Sequence, residues 1–502
     1  MAKELYDGIY SSHKLVFMER VESNLKYYLK DRLIYIKNIG QELFCVINKD
    51  NLKEVLGELK ENPEISAEIL NFIDLFQSKD GYCVLAGFSS VKNNYSMILK
   101  VLLQTDSHDA ARDGFKEVVS GIKAHYTSAE YYQVVSITDD ANYDAKLVNQ
   151  SAEGMDCFDT YITFSDERID QAYFDTGVSR VLSDDLFKGS EIAGPLVYLS
   201  RFDPGAGIFP EICYCLAIEE LIQLKVSKRV QYIRMLISEL YRISSHLYYL
   251  ARINRILGYE FAYNQALVER EKILRLLETI TGARVNPNFI RIGGVKNDLS
   301  NESIYSIREN LKGIFKKINS LEALMLDNSI ITARLKDLGI AEQNTAVECG
   351  ATGPNLRASG ARYDLRKNRN LLFYRDISFL VPSGKYGDCL DRIQIRFREI
   401  YQSIIIISQI IKALPDEHIK KILSLGDLDL PFSEMASSIE CPHGVFKMFL
   451  EAEGDKILNL TVIGPSKNSL YLAEKVIQGS RFEDLELILS SFDLSSGEII
   501  RK

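Results

Sequence analysis

The 502-residue sequence lacks a basic excess, a leader peptide and any long apolar run, and each absence removes a class of protein. Lysine and arginine number 60 against 69 acidic residues, giving a net charge of −9 and a pI near 5.5. A general nucleic-acid binder carries the opposite balance, so no nucleic-acid partner is expected. The opening residues MAKELYDGIYSS show no charged n-region followed by an apolar core, so no signal peptide is expected. No apolar run approaches the roughly 20 residues of a membrane-spanning helix. The longest candidate, around Ile404–Ile407, is broken by Ser408, Gln409 and Lys412. Eight cysteines are too sparse for a secreted disulfide scaffold, and the expectation is a cytoplasmic chain with reduced thiols.

Several common motifs are missing as well. There is no P-loop, no G-x-G-x-x-G opening a helix after a strand, and no H-E-x-x-H. Cys213-x-Cys215 is the one close cysteine pair. With no second pair at metal-ligand spacing it reads as structural and buried. Histidine is scarce: His13, His108, His125, His246, His418 and His443 are the whole set.

What is present is an ordinary globular mixture, 46% hydrophobic and 26% charged, in a chain long enough for two or three domains. The patterning predicts an α+β protein. Residues 1–140 alternate short strands (Leu33–Ile36, Leu43–Ile47, Tyr82–Ala86, Met97–Leu103, Tyr131–Ile137) with helices at Asn51–Glu61 and Ala110–Ala124. Residues 141–157 are polar and acidic and are assigned as a linker, within a wider polar stretch from Thr138 to Asp156. The third segment, 158–502, starts with a strand pair (Tyr161–Phe164, Ala172–Phe174) and then turns helical. One apolar stripe runs through Val226, Val230, Ile233, Ile237, Leu240 and Leu247, and another through Ile393, Phe397, Ile400, Ile404, Ile407 and Ile411. Each predicts a central bundle helix. Strands return as a hairpin at Phe446–Leu450 and Ile457–Val462, so β-structure is expected at the periphery of a helical bundle.

The run Gly353-Pro-Asn-Leu-Arg-Ala-Ser-Gly-Ala-Arg-Tyr-Asp-Leu-Arg-Lys367 packs three arginines and a lysine into eleven residues behind a glycine–proline turn. It closely resembles the signature of the 49-kDa subunit of respiratory complex I, the NADH:quinone oxidoreductase, which is related to the large subunit of [NiFe] hydrogenases. Further motifs follow in the family's order: Glu239, Arg242 and His246; Glu269-Arg-Glu-Lys272; Thr281-Gly-Ala-Arg284; Ile290-Arg291, Gly293-Gly-Val295 and Asp298-Leu299; Gly387-Asp-Cys-Leu-Asp-Arg392 with Arg396, Glu399, Gln402 and Ser403; and Gly497-Glu498. The resemblance covers roughly residues 160–502. The first 140 residues resemble the family's 30-kDa subunit through strand order and Asp74-Leu75-Phe76, with Tyr131-Tyr-Gln-Val134 standing in for an acidic motif.

The resemblance implies a hydrogenase large-subunit-like domain in a membrane-associated, electron-transporting translocase. It implies a chain that binds no cofactor or metal itself and meets a [4Fe-4S] cluster, NADH and quinone through partner subunits. Those partners are an iron–sulfur small subunit and membrane subunits, and the chain sits peripherally on the cytoplasmic side. Crevice candidates are Tyr198, Arg201, Asp203 and His246, with Arg201 and Asp203 expected as a buried ion pair and His246 as an interhelical hydrogen-bonder. The arginine-rich run is expected to face either a neighbouring subunit or the crevice. The family's quinone-binding histidine has no counterpart in 149–160, its tyrosine aligns with Ile192, its aspartate with Ile256, and the histidine near the last cluster with Asn286. The four nickel-binding cysteines of hydrogenases align with Asp203–Ala206 and Ser495–Glu498, so nickel is not expected. The alternative is a metal-free scaffold subunit in a complex related to energy-converting hydrogenases.

Overall fold

The computed structural model describes residues 20–39, 42–78, 81–90, 92–93, 95–105, 107–126, 144–148, 158–175, 186–203, 205–369, 371–417, 419 and 429–499. The strand expected at Tyr131–Ile137 and most of the segment matched to the family's histidine loop lie outside them. The chain divides into two compact units, Met1–Ile137 with Val347–Gly350, and Thr138–Ala346 with Ala351–Lys502.

The first unit is built on a five-stranded mixed sheet in the order β1-β2-β5-β4-β3. Its strands are β1 (Leu33–Ile39), β2 (Glu42–Asn48), β3 (Ile69–Ser78), β4 (Gly81–Ser90) and β5 (Tyr95–Leu102). β2 and β5 run parallel and the other pairs antiparallel. Helix α1 (Leu52–Glu61) buries Leu52, Val55, Leu56 and Leu59, the i, i+3, i+4, i+7 face of an amphipathic helix. Helix α2 (His108–Lys123) packs on α1 and on β3 and β4. β3 has no clean signal in the sequence. A register irregularity between Leu70 and Phe72 breaks the period-two alternation and leaves its apolar residues at helix-like spacing.

The second unit begins with an antiparallel sheet of β6 (Ala145–Val148), β7 (Asp159–Ser165) and β8 (Arg168–Asp175). The linker expected over 141–157 is therefore not irregular throughout, since Ala145–Val148 hydrogen-bonds to β7. The helices that follow are α3 (Ile208–Leu221), α4 (Lys228–Ile256), α5 (Glu260–Thr281), α6 (Asn301–Leu326) and α7 (Cys389–Ala413). Between α5 and α6 lies a two-stranded ribbon of β9 (Ile290–Arg291) and β10 (Gly294–Val295). Ser227 caps α4 by accepting the Val230 N–H, and Asp388 caps α7 by accepting the Asp391 N–H. From Tyr232 to Leu247, α4 is buried on every face, including Glu239, Arg242 and His246. The apolar stripe marks only part of a helix that is enclosed all round.

The chain closes with the meander β11 (Leu430–Cys441), β12 (Gly444–Gly454) and β13 (Lys456–Ile463), then α8 (Ser466–Ile477) and α9 (Leu485–Ser491). These strands are not peripheral as the sequence suggests: β12 is buried continuously from Gly444 to Ala452. Residues in its turn reach deep into the unit. Gly353 and Gly444 both adopt positive φ, and a Cβ on Gly353 would lie 2.4 Å from the Gly444 Cα. Only hydrogen side chains permit that approach of the arginine-rich run to the β11–β12 turn. No helix among the described residues is long and apolar enough to cross a membrane.

Candidate functional site

Two linked clusters of buried charge occupy the middle of the second unit. The first joins α4, α7, β11 and the arginine-rich run. His246 Nε2 lies 2.9 Å from Glu399 Oε2, so the expected interhelical hydrogen bond forms. Arg357 donates to Glu399 Oε1 (2.7 and 2.9 Å), to Glu440 Oε1 (2.7 Å) and to the Tyr363 carbonyl (2.9 Å). Arg366 spans Asp364 (2.7 Å) and Glu239 (3.1 Å), and Glu239 also accepts from Tyr374 and Ser403, each at 2.6 Å.

Arg357 and Arg366 are thus internal ties rather than a face turned to a neighbouring subunit or a crevice. Only Arg362 and Lys367 of that run are exposed. Burial resists ionisation of Glu399, but Arg357 and then His246 hold its carboxyl well below the usual range. Burial, only partly offset by Glu399, lowers His246 to about 4, so near neutrality the ring is uncharged.

The second cluster centres on a histidine that the sequence motifs do not single out. His443 sits in the β11–β12 turn with Nε2 3.1 Å from Asp203 Oδ2 and Nδ1 3.4 Å from Asp493 Oδ2. Asp493 is held in turn by Arg252 from α4 (2.8 Å) and Arg396 from α7 (3.4 Å). Burial disfavours a charged ring here, yet Asp203 and then Asp493 hold the His443 pKa well above the ordinary histidine value. Beside them, Glu498 accepts from the Ser466 hydroxyl and lies 3.9 Å from Cys441 Sγ. Burial pushes Glu498 up to about 7. Arg396 acts on both histidines' surroundings, so the two clusters form one charged tract from His246 to Asp203.

The other candidates fall elsewhere. The expected Arg201–Asp203 ion pair does not form. Asp203 turns inward to His443 and to the Gly205 N–H (3.0 Å), while exposed Arg201 stacks 5.5 Å from the ring centre of Tyr198. Tyr198 is 39% exposed beside Val197 at 51%, so these residues lie at the surface, next in sequence to the turn that carries Asp203. Ile192 is buried, and its carbonyl accepts the Tyr214 hydroxyl at 2.7 Å. Ile256 and Asn286 are half-buried. No local pattern announces His443, because its partners lie 240 residues upstream and 50 downstream; the one cue is a histidine beside glycine in a hairpin turn.

The positions aligned with the hydrogenase cysteines do come together, but as an ion-paired cluster. Asp203, Ala206, Ser495 and Glu498 supply no thiolate, and the His443 ring sits against Asp203 instead. This donor set does not fit nickel. Among the described residues no group of three histidine, cysteine or acidic side chains is arranged to hold a metal ion. Cys213 and Cys215 are buried within α3, with Cys213 Sγ 3.1 Å from Ser437 Oγ, and burial holds the Cys215 thiol well above its usual pKa. The structural reading of that pair stands.

Also on α3, Glu211 Oε2 accepts the Phe289 and Ile290 N–H groups at 3.2 Å each, while Oε1 is buried with no partner.

The C-terminal segment is seated by close backbone contact. A Cβ on Gly497 would lie 1.7 Å from the Phe202 carbonyl oxygen. Gly497→Ala must therefore displace Ser495–Glu498 from the turn holding Asp203, at a cost of about 1–3 kcal/mol. Urea unfolding will read this loss, and an unchanged midpoint would contradict the packing.

Residues 257–424 match the family described as respiratory-chain NADH dehydrogenase, 49 Kd subunit. The chain is 34% identical over 296 residues to the D subunit of the NADH-quinone oxidoreductase of Thermosipho melanesiensis, covering 58% of this chain and 81% of that protein. It is 30% identical over 349 residues to the D subunit of the F(420)H(2) dehydrogenase of Methanosarcina mazei, covering 68% and 91% respectively. Among solved structures it superposes, with a TM-score of 0.68 and 28% identity, on a chain of the membrane-bound sulfane sulfur reductase, an archaeal respiratory membrane complex. That match covers 72% of this chain and 99% of the other. The chain belongs to the family of the 49-kDa subunit of respiratory-chain NADH dehydrogenase.

Proposed function

We propose that the chain is the acceptor-side peripheral subunit of a complex-I-like membrane oxidoreductase, fused to a 30-kDa-subunit-like domain over residues 1–140. It packs against an iron–sulfur small subunit on the cytoplasmic face of the membrane and binds no cofactor of its own. Electrons originating from NADH pass through the small subunit's [4Fe-4S] cluster to a quinone in the crevice marked by Tyr198, Arg201 and Asp203. The reading is carried by the span of the match, which takes in 81% and 91% of the corresponding subunits of two oxidoreductases. Affinity purification of the tagged chain from its native host should recover an iron–sulfur subunit and membrane subunits with it. Recovery as a lone monomer would overturn the reading.

Turnover with ordinary quinones should be weak. Ile192 and Ile256 stand where the family's tyrosine and aspartate are expected, and isoleucine neither donates nor relays a proton. Losing one donor aimed at developing charge costs about 10²–10³ in rate. The check is NADH-driven reduction of a short-chain quinone by the purified complex. It should run about 100-fold or more below a related complex that has the family residues. Full, inhibitor-sensitive turnover would refute it.

One observation favours a second reading, a metal-free scaffold in a complex related to energy-converting hydrogenases. Ion-paired Asp203, His443 and Asp493 occupy the place where that lineage binds metal. Neighbouring genes for an NADH-oxidising flavoprotein favour the first reading, and formate- or ferredoxin-linked genes the second.

A further inference from the structure

We propose that His443 is this chain's proton donor, its imidazolium delivering a proton along the Asp203 edge to a quinone held beside Tyr198 and Arg201. The proposal rests on the quinone-reducing reading above and assigns it a residue the family pattern does not supply.

Three features of the geometry carry it. First, the ring lies between two carboxylates, with Nε2 3.1 Å from Asp203 Oδ2 and Nδ1 3.4 Å from Asp493 Oδ2, and opposite charges so close on both sides favour a charged imidazole. Second, the two sides are not equivalent. Asp493 is neutralised from within by Arg252 and Arg396, whereas Asp203, which also accepts the Gly205 N–H, has no arginine or lysine partner among the described residues and belongs to the turn that continues to exposed Arg201 and Tyr198. The proton therefore leaves on the Asp203 side, and Asp493 positions the ring. Third, the other buried histidine, His246, is uncharged near neutrality and is tied through Nε2 to Glu399 between α4 and α7.

The reduced iron–sulfur cluster of the partner subunit supplies two electrons, one at a time, to the quinone. His443 passes its proton to the Asp203 carboxylate, leaving a neutral imidazole, one carbonyl oxygen takes that proton from Asp203, and the other takes a proton from water. The product is the hydroquinone, and the ring regains its proton from solvent. The groups facing the ring are Asp203, Asp493, Arg252, Arg396, Glu498 and Cys441, contributed by the turn before α3, the segment after α9, α4, α7, the C-terminal segment and β11. The carboxylates outweigh burial and raise the ring's pKa.

The test uses the purified complex with dithionite-reduced methyl viologen as electron source and decylubiquinone as acceptor. His443→Arg keeps the positive charge between the two aspartates but does not release a proton. Its expected signature is an assembled complex whose cluster reduces normally by EPR, with quinone reduction down about 100-fold. An assembled His443→Arg complex with full turnover would show that the ring is only a structural cation. A second measurement needs no variant: wild-type kcat should fall on an alkaline limb as pH rises through the raised His443 pKa. A flat profile across the alkaline range would overturn the proposal even if the variants failed to assemble. Absence of any quinone reduction in the unmodified complex, by contrast, defeats the quinone-reducing reading itself and with it the His443 step.

Discussion

Arg357→Met should destabilise the second unit by about 3–5 kcal/mol. The guanidinium is fully buried and satisfies three acceptors: Glu399, Glu440 and the Tyr363 carbonyl. Methionine fills much of the volume but leaves two carboxylates facing each other without the cation that lies between them. The cost arises from those stranded charges more than from the lost bonds. Burial already pushes the Glu440 carboxyl up against the pull of Arg357, so in the variant Glu440 should take up a proton. Adding Glu440→Gln to Arg357→Met should therefore recover part of the loss. Urea denaturation of the wild type, both single variants and the double variant makes the cycle. A loss below about 1 kcal/mol for Arg357→Met would mean that the network does not form.

Glu211 provides the second large effect, and its sign depends on pH. Burial raises this carboxyl to about 7 from an ordinary 4.5, against the pull of the Ile290 and Phe289 amides. A raised carboxyl pKa favours the folded state fully only below the unfolded value. As pH climbs from about 4.5 to 7 the unfolded chain ionises while the folded one keeps its proton, and stability falls by about 1.4 kcal/mol per unit. Glu211→Gln removes that slope while retaining an oxygen to accept the Phe289 and Ile290 N–H groups. Relative to wild type, the variant should gain about 3 kcal/mol between roughly pH 4.5 and pH 8. Parallel wild-type and variant stability curves over that range would show Glu211 to be ionised in the fold throughout.

Sequence reasoning works where structure is local. Leu52, Val55, Leu56 and Leu59 sit at helical spacing and are buried on one helix face. Ordered motifs of the arginine-rich type also point to the family. Periodicity fails where polar residues pair across long distances. Glu239, Arg242 and His246 lie off the apolar stripe of α4, yet they are enclosed because Arg366, Glu440 and Glu399 arrive from elsewhere to satisfy them. Asp203 pairs with Arg201 in a linear reading because they are close in sequence, while its partner in space comes from the β11–β12 turn. β11 is hidden for a related reason. Its serines and glutamates look like loop, but Ser437, Ser438 and Glu440 each bond into the interior. Long-range pairing of this kind leaves no trace in a short window of sequence.

The charged tract also sets a timetable for synthesis. Arg252 waits for Asp493, 241 residues later, before its ion pair can close. At about 5–20 residues per second that interval is roughly 10–50 s. Throughout it, α4 leaves the ribosome carrying Arg234, Glu239, Arg242 and His246. Arg234 has Glu219 and Arg242 has Glu239 already synthesised, but Arg366 for Glu239 and Glu399 for His246 are still to come. A helix with so many side chains bound for the interior cannot dock early without burying unpaired charge. Assembly of the second unit is therefore withheld until its last segment appears, and a nascent chain stalled before Asp493 should be the species that chaperones hold.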